Sequence, residues 1–499
     1  MLPPPEDHAG DISSSTGHYG RISPKFVRVE PQTSHAETAP AHPPLESLAV
    51  QPLVNRDYES RPALFYERLR AEYGPVAPVD VLGVPAWLVI GYPQTLDILR
   101  DTRGIWSKRL DSWRARREGR VPADWPLLPA FEIDNSVFRD GPDLTRLRGA
   151  WSEGLRPFQD RTRTQAKELE RAIRRYADEL ITVLSESGGR TGWTDLSAQY
   201  ARPLPLMIVG RLLGAEPGRG DDIIMDMWRM LDAGPDAAEA AGRLTAEVAA
   251  ICQAKLTTPG EDLPSYMIAA VPDLTVDELT REMTMLIGLV GDYTGTLVCN
   301  TIAEVIAGDT GVRDSISAGM LPEAVNRAAI TSPPMANLTF RWPKTDVRVG
   351  RFLIAAGDPV MLSPAAAHLD PAFTGTMTPD SIYSSRAHLA WGAGPHACLG
   401  RDLATTITTI AVERLFERFS GLRLALPADQ LPWRSSPMMR GLRSLPVTYE
   451  LADEPRRSPA GPAGGPAAGD AAPEADTPAA AEQKSLVRRV LRMMRLSQP

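Results

Sequence analysis

Cys398 stands inside the stretch HLAWGAGPHACLGRDLA, residues 388–404, and is the only soft ligand in that glycine-punctuated loop. Leu399, Leu403, Ile407, Ile410 and Ala411 follow it at a spacing that predicts a helix. A cysteine at a helix N-terminus has its thiolate favoured by the helix dipole and by free backbone N–H groups. Held that way, a thiolate is a good single axial ligand for iron. Gly392, Gly394 and Gly400 permit backbone angles closed to other residues and let the chain lie close against a bulky group. On the residues alone, a buried structural cysteine in a tight turn remains the alternative.

A second chemistry-bearing stretch is REMTMLIGLVGDYTGTLVCNTIAEVI, residues 281–306. Gly288, Gly291 and Gly295 fall on one helical face. Each costs about 1 kcal/mol relative to alanine in a helix interior, so the face calls for compensation. Close approach of a flat ligand would supply it, and so would close packing of another helix. Thr294 and Asp292 bring a hydroxyl and a carboxylate to the same segment.

The elements that position these residues are read from the rest of the 499-residue chain, of which 43% is hydrophobic. That is enough apolar content for one large helical body with extensions at its ends. Residues 1–44, rich in Pro, Ser, Thr and Gly, are expected to be disordered. A helix is expected from Tyr58, with Leu64, Leu69 and Tyr73 on one face, followed by a strand pair over residues 75–90. Helices broken at Gly188-Gly189, Pro217-Gly218 and Pro259-Gly260 occupy the middle. Residues 453–482 read as a Pro/Ala/Gly linker. Residues 483–499 read as a basic amphipathic helix suited to an anionic membrane surface or an acidic partner.

Net charge is −8, and the five basic side chains of residues 484–499 leave the remainder at −13. That balance argues against nucleic acid as a partner. Three cysteines, Cys252, Cys299 and Cys398, form no paired framework and suit a reducing cytoplasm. The first residues show no basic and apolar export signal, and nowhere do 18 apolar residues run together.

Trp391, Gly394, His396, Cys398 and Gly400 resemble the haem-binding loop of the cytochromes P450, Phe-x-x-Gly-x-x-x-Cys-x-Gly. The resemblance covers residues 45–452 and implies that family's fold, mainly α with a small β region. It also implies haem b with Cys398 as the axial metal ligand, a thiolate that pushes electron density onto iron. DGPDLTRLRGAW, residues 140–151, resembles the family's Asp-x-Pro-x-His-x-x-x-Arg, with Leu144 where the histidine would stand. By resemblance Arg148, Arg341 and His396 bind the haem propionates.

Val290 to Gly295 resembles the oxygen-binding centre of the family's long distal helix, which assigns Thr294, with Gly291, to proton delivery and oxygen binding. Tyr293 holds the usual acidic position, and Asp292 is the nearby carboxylate, one residue early. Counting back from Pro333-Pro334, the family's Glu-x-x-Arg pair falls on Asn326 and Ala329, which form no ion pair; Glu323 and Arg327 are spaced to substitute. His368 is expected to be structural, and Met438 and Met439 to line a substrate cavity or serve as soft core contacts.

The resemblance implies a haem-thiolate monooxygenase that inserts one atom of O2 into a small organic substrate. Electrons would come from ferredoxin and an NAD(P)H-dependent ferredoxin reductase, in the cytoplasm. The wording around Cys398 and the C-terminal sheet is also similar to actinobacterial members encoded beside small GTPases. That leaves open a haem-binding component of a membrane-associated GTPase signalling assembly, docked through residues 483–499.

Overall fold

The computed structural model describes residues 43–215, 220–232, 235–308, 320–375 and 377–452. The N-terminal extension up to residue 42, the linker and the basic C-terminal segment, on which the expected disorder, spacer and amphipathic helix fall, lie outside the described residues.

The body is mainly helical. Helix α1 (Pro62–Tyr73) opens on a proline, where a missing N–H costs nothing. It buries Phe65, Tyr66 and Leu69, while Leu64 is 49% exposed. The inward face is thus rotated from the one expected, because two aromatic side chains bury more area than Leu64 would. Strands β1 (Gln51–Pro52), β2 (Val76–Asp80) and β3 (Pro85–Val89) include the expected strand pair, with Val76 opposite Val89 in an antiparallel register. The remaining strands are short: β4 (Trp106–Ser107), β5 (Thr191–Asp195), β6 (Trp342–Pro343), β7 (Val347–Val349), β8 (Phe352–Ile354), β9 (Val360–Leu362), β10 (Phe419–Leu424) and β11 (Pro446–Leu451). They form a four-stranded sheet in the order β1-β2-β3-β9, a three-stranded sheet β10-β11-β5, and the pairs β4-β6 and β7-β8.

Helices α2 (Tyr92–Arg100), α3 (Gly141–Gln159), α4 (Thr164–Gly188), α5 (Pro203–Leu212), α6 (Gly220–Asp232) and α7 (Ala237–Thr257) lead to the central one. This begins as α8 (Val276–Leu286), on a capping box in which Thr275 and Glu278 bond each other's backbone. It widens into a π-helical stretch over Ile287–Thr294 and resumes as α9 (Gly295–Ala307). The whole run is long and apolar enough to cross a membrane, but 67% of its apolar window is buried, as in the core helix of a folded body. Helices α10 (Leu321–Thr331) and α11 (Arg401–Arg418) pack beside it.

The largest core cluster joins residues of α3, α4, α5, α8, α9 and α11, among them Leu147, Leu180, Leu204, Met283, Ile302 and Ile407. A second cluster packs four tryptophan and phenylalanine rings, Trp113, Trp125, Phe340 and Trp342, against β2 and β3. The last two are neighbours of Arg341. The segment carrying that arginine is thus anchored by aromatic burial on either side of it.

Candidate functional site

The cysteine loop is shaped by two glycines. Gly392 and Gly394 have φ of +68° and +66°, a left-handed conformation that other residues reach only under strain. A Cβ on Gly394 would lie 2.3 Å from the carbonyl oxygen of Leu99, so the loop is seated against the end of α2. Gly400 differs from the expectation: its φ is −90°, and it caps α11. Its N–H is directed at the thiol of Cys398. Cys398 N–H donates to the Trp391 carbonyl at 2.8 Å, closing the loop.

Cys398 is exposed, whereas Cys252 and Cys299 are buried. The chain nevertheless crowds it, and burial pushes its thiol up against the opposing pull of the Gly400 N–H, Arg148 and Arg401. A sulfur that is desolvated yet accessible faces a space inside the fold. Bound metal reverses the cost of burial, because a coordinated thiol is deprotonated outright.

The basic residues converge beside it. Arg341 is 4% exposed, its Nε has no hydrogen-bond partner, and among the described residues no carboxylate lies within ion-pair distance. Burial lowers its pKa to about 10. Arg148, on α3, donates from Nη2 to the Ala397 carbonyl at 2.7 Å. His396 ends the turn Gly394–His396; burial, then the charges of Lys108, Arg341 and Arg148, lower its pKa to about 2. Buried cations are ordinarily paired. A group of them gathered next to an accessible thiol fits a macrocycle that brings iron to the sulfur and two carboxylates to the cations. The donor set therefore fits haem.

Lys108 was not singled out by its sequence context. It is 4% exposed and donates from Nζ to the carbonyls of Thr339 at 3.2 Å and Phe340 at 2.8 Å, and to the Thr339 hydroxyl. Its N–H and the Ser107 hydroxyl bond Asp140, at 3.0 and 2.6 Å. The signal that could have found it is Asp140, whose motif predicts an anchoring role without naming what it anchors. Leu144 is buried at 5% and contributes only packing.

The distal helix sorts its residues by face. Leu297 packs with Val325, Ala328, Ala329, Ala390 and Trp391, which places the turn after Thr294 over the cysteine loop. Thr280, Thr284 and Thr301 each return their hydroxyl to the carbonyl four residues earlier. Thr294, in the widened turn, is buried at 4%, and no such bond is formed among the described residues. Its hydroxyl is therefore available to another partner. Burial, followed by the charge of Asp292, raises the Tyr293 phenol.

Asp292, expected in the catalytic set, is not brought to Thr294. Its carboxylate accepts from Arg434 Nη1 at 3.0 Å. It shares a face with Thr296 and Asn300, which address the C-terminal loop through Met439 Sδ and the Arg440 carbonyl. The glycine face is corrected as well. A Cβ on Gly291 would lie 2.5 Å from Leu206 Cδ2, and one on Gly295 would lie 3.1 Å from the Ala201 carbonyl. Helix packing, on Leu206 of α5 and on the Ala201–Arg202 backbone before it, accounts for the lack of a side chain at both positions. Met439 contacts Thr296 and Arg434, while Met438 packs on the aromatic core.

Where an ion pair is lacking on α10, a neutral network stands. Asn326 donates to the carbonyls of Tyr383 at 2.6 Å and Ser385 at 3.2 Å, and accepts from His388 Nε2 at 3.1 Å. The substitute pair expected between Glu323 and Arg327 does not form. Glu323 pairs with Arg386 and Arg327 with Glu304, each at 2.6 Å, because α10 turns the two side chains towards different neighbours. His368 is structural as expected, accepting from Leu389 N–H at 2.8 Å and lying 3.0 Å from the Ile330 carbonyl.

The family description "Cytochrome P450" matches residues 331–447. Cytochrome P450 107B1 of Saccharopolyspora erythraea is 32% identical over 397 residues, covering 77% of this chain and 93% of the relative. The 6-deoxyerythronolide B hydroxylase of the same organism is 31% identical over 413 residues, covering 77% and 95%. Among solved structures, CYP154A1 from Streptomyces coelicolor superposes with a TM-score of 0.67 at 29% identity, over 80% of this chain and 99% of that one.

Proposed function

We propose residue roles from one premise: this chain belongs to the cytochrome P450 family. It is a haem-thiolate monooxygenase, with ferredoxin and an NAD(P)H-dependent reductase as its electron source. Haem, when bound, would supply oxygen activation, and a thiolate ligand would favour O–O cleavage. Cys398 provides that thiolate, which the Gly400 N–H and the start of α11 favour. Arg148, Arg341 and His396 hold the propionates, and Trp391 packs beside the loop. Thr294 holds and passes the proton consumed in the oxygen step, from a hydroxyl that no backbone carbonyl occupies. Asp292 has no part in that transfer, because Arg434 holds it on another face.

The observation that carries this reading is the accessible but crowded thiol of Cys398 set against a buried, unpaired Arg341. The test is the reduced, CO-treated protein. It is expected to show the red-shifted band that names the family, and Cys398→Ala to abolish it. A protein that binds no haem sinks the reading. Product formation from NAD(P)H with surrogate redox partners then tests turnover. The protein works in the cytoplasm in this reading, with residues 483–499 holding it to the inner membrane surface through basic and apolar side chains. Sedimentation with anionic vesicles, with and without those residues, decides that placement.

A further inference from the structure

We propose that Lys108 is a third cation of the cofactor-carboxylate site, beside Arg148 and Arg341, supplying the charge that Leu144 cannot and fixing Arg341 in position. This role rests on the haem reading of the same site.

Lys108 Nζ bonds the carbonyls of Thr339 and Phe340, the two residues that precede Arg341. The backbone of Arg341 is held on its other side by a reciprocal pair of bonds with Val360, both 2.9 Å. Lys108 and β9 thus grip the arginine segment between them. The ammonium also stands 5.4 Å from the Phe138 ring centroid, on the chain leading into α3. Truncating the side chain would leave the Phe340 carbonyl without this donor.

Charge points the same way. Lys108 is buried, yet it forms no ion pair among the described residues. Asp140, the acid nearest to it, is occupied by the Ser107 hydroxyl and the Lys108 N–H. Arg341 lies close enough for its charge to oppose that of Lys108. Lysine and two arginines without an ion-pair partner among the described residues repel one another, with Asp101 and Asp140 acting only from beyond ion-pair distance, and two carboxylates placed among them would offset the repulsion. The histidine absent from α3 is therefore replaced by a cation from a different element, the chain just after β4.

Two variants and two cofactors test this. Lys108→Met removes both charge and donors. Lys108→Gln removes the charge but keeps an amide for the Thr339 and Phe340 carbonyls. The holoprotein is prepared with haem b and with its dimethyl ester, which carries no carboxylate. Haem transfer to apomyoglobin and the midpoint potential are then measured. Both variants are expected to release haem b about tenfold faster, the loss of one charge-assisted interaction. They are expected to release the diester at the wild-type rate, and to have a lower potential with haem b. Equal acceleration with both cofactors, or no acceleration, overturns the proposal. A variant that holds neither cofactor counts as the first of these. A wild-type protein that takes up no haem refutes the site reading itself and not Lys108 in particular.

Discussion

Asp292 and Arg434 meet at 3.0 Å across the gap between the distal helix and the loop before β11, with side chains 14% and 19% exposed. Removing one partner leaves the other charge partly buried. Asp292→Asn is therefore expected to lower stability by about 1–3 kcal/mol in urea titrations. Thr294→Ala is expected to do the reverse, leaving stability near wild type while product per NAD(P)H falls by on the order of 10²-fold, with peroxide released instead. If Asp292→Asn uncouples turnover as strongly as Thr294→Ala, the ion pair does not withdraw Asp292 from proton delivery.

The three helical glycines should rank by what a methyl group meets. At Gly288 nothing lies within 4 Å, so alanine is expected to be neutral or to stabilise by up to about 1 kcal/mol. At Gly291 the contact is the end of the Leu206 side chain, which can move. At Gly295 the contacts are the Ala201 carbonyl and Arg202 Cα, which cannot, and about 1–3 kcal/mol is lost. Melting temperatures of the three alanine variants check the order.

His368 and His388 face each other with ring centroids 5.8 Å apart, and burial lowers their pKa values to about 3 and about 4. Both lie below the unfolded value near 6.5, so the unfolded chain binds more protons. The stability they contribute is complete above about pH 6.5 and is lost as pH falls towards 4. Near pH 5 the two together give a slope of about 2.7 kcal/mol per pH unit. His388→Gln should lower the slope by about 1.4 kcal/mol per pH unit, measured from urea midpoints at pH 7, 6 and 5; an unchanged slope refutes the assignment.

Glu282 is 1% exposed and accepts from Ser136 N and Oγ, both at 2.7 Å, and from Trp151 Nε1 at 2.6 Å. It ties α8 to α3 and to the turn before Asp140, and burial raises its pKa. In Glu282→Gln, whichever way the amide turns, its NH2 opposes either the Ser136 or the Trp151 N–H. A loss of about 1–3 kcal/mol follows. Thermal unfolding at pH 7 measures it, and a variant as stable as wild type would mean that Glu282 does not tie these elements together.

The cysteine loop and the elements nearest to it were legible because each depends on local rules. Left-handed φ at Gly392 and Gly394, the apolar period of α11 and the strand pair at Val76 and Val89 are set within a few residues. Thr294 was legible for a related reason, its place in a recognisable stretch. What was misread lies where a side chain's direction depends on a distant partner. Gly291 and Gly295 pack on α5 and the segment before it, Asp292 turns to Arg434, and Arg327 turns to Glu304.

The sequence by itself thus determined the family, the thiolate and the neutral residues at Asn326 and Ala329, because residue types at fixed spacing carry that information. Only the tertiary structure decided that Asn326 joins His388, that Lys108 stands beside Arg341, and that Asp292 is withdrawn from Thr294. Each of these is a contact between segments between 62 and 232 residues apart, whose directions depend on how helices and loops pack and on no local pattern.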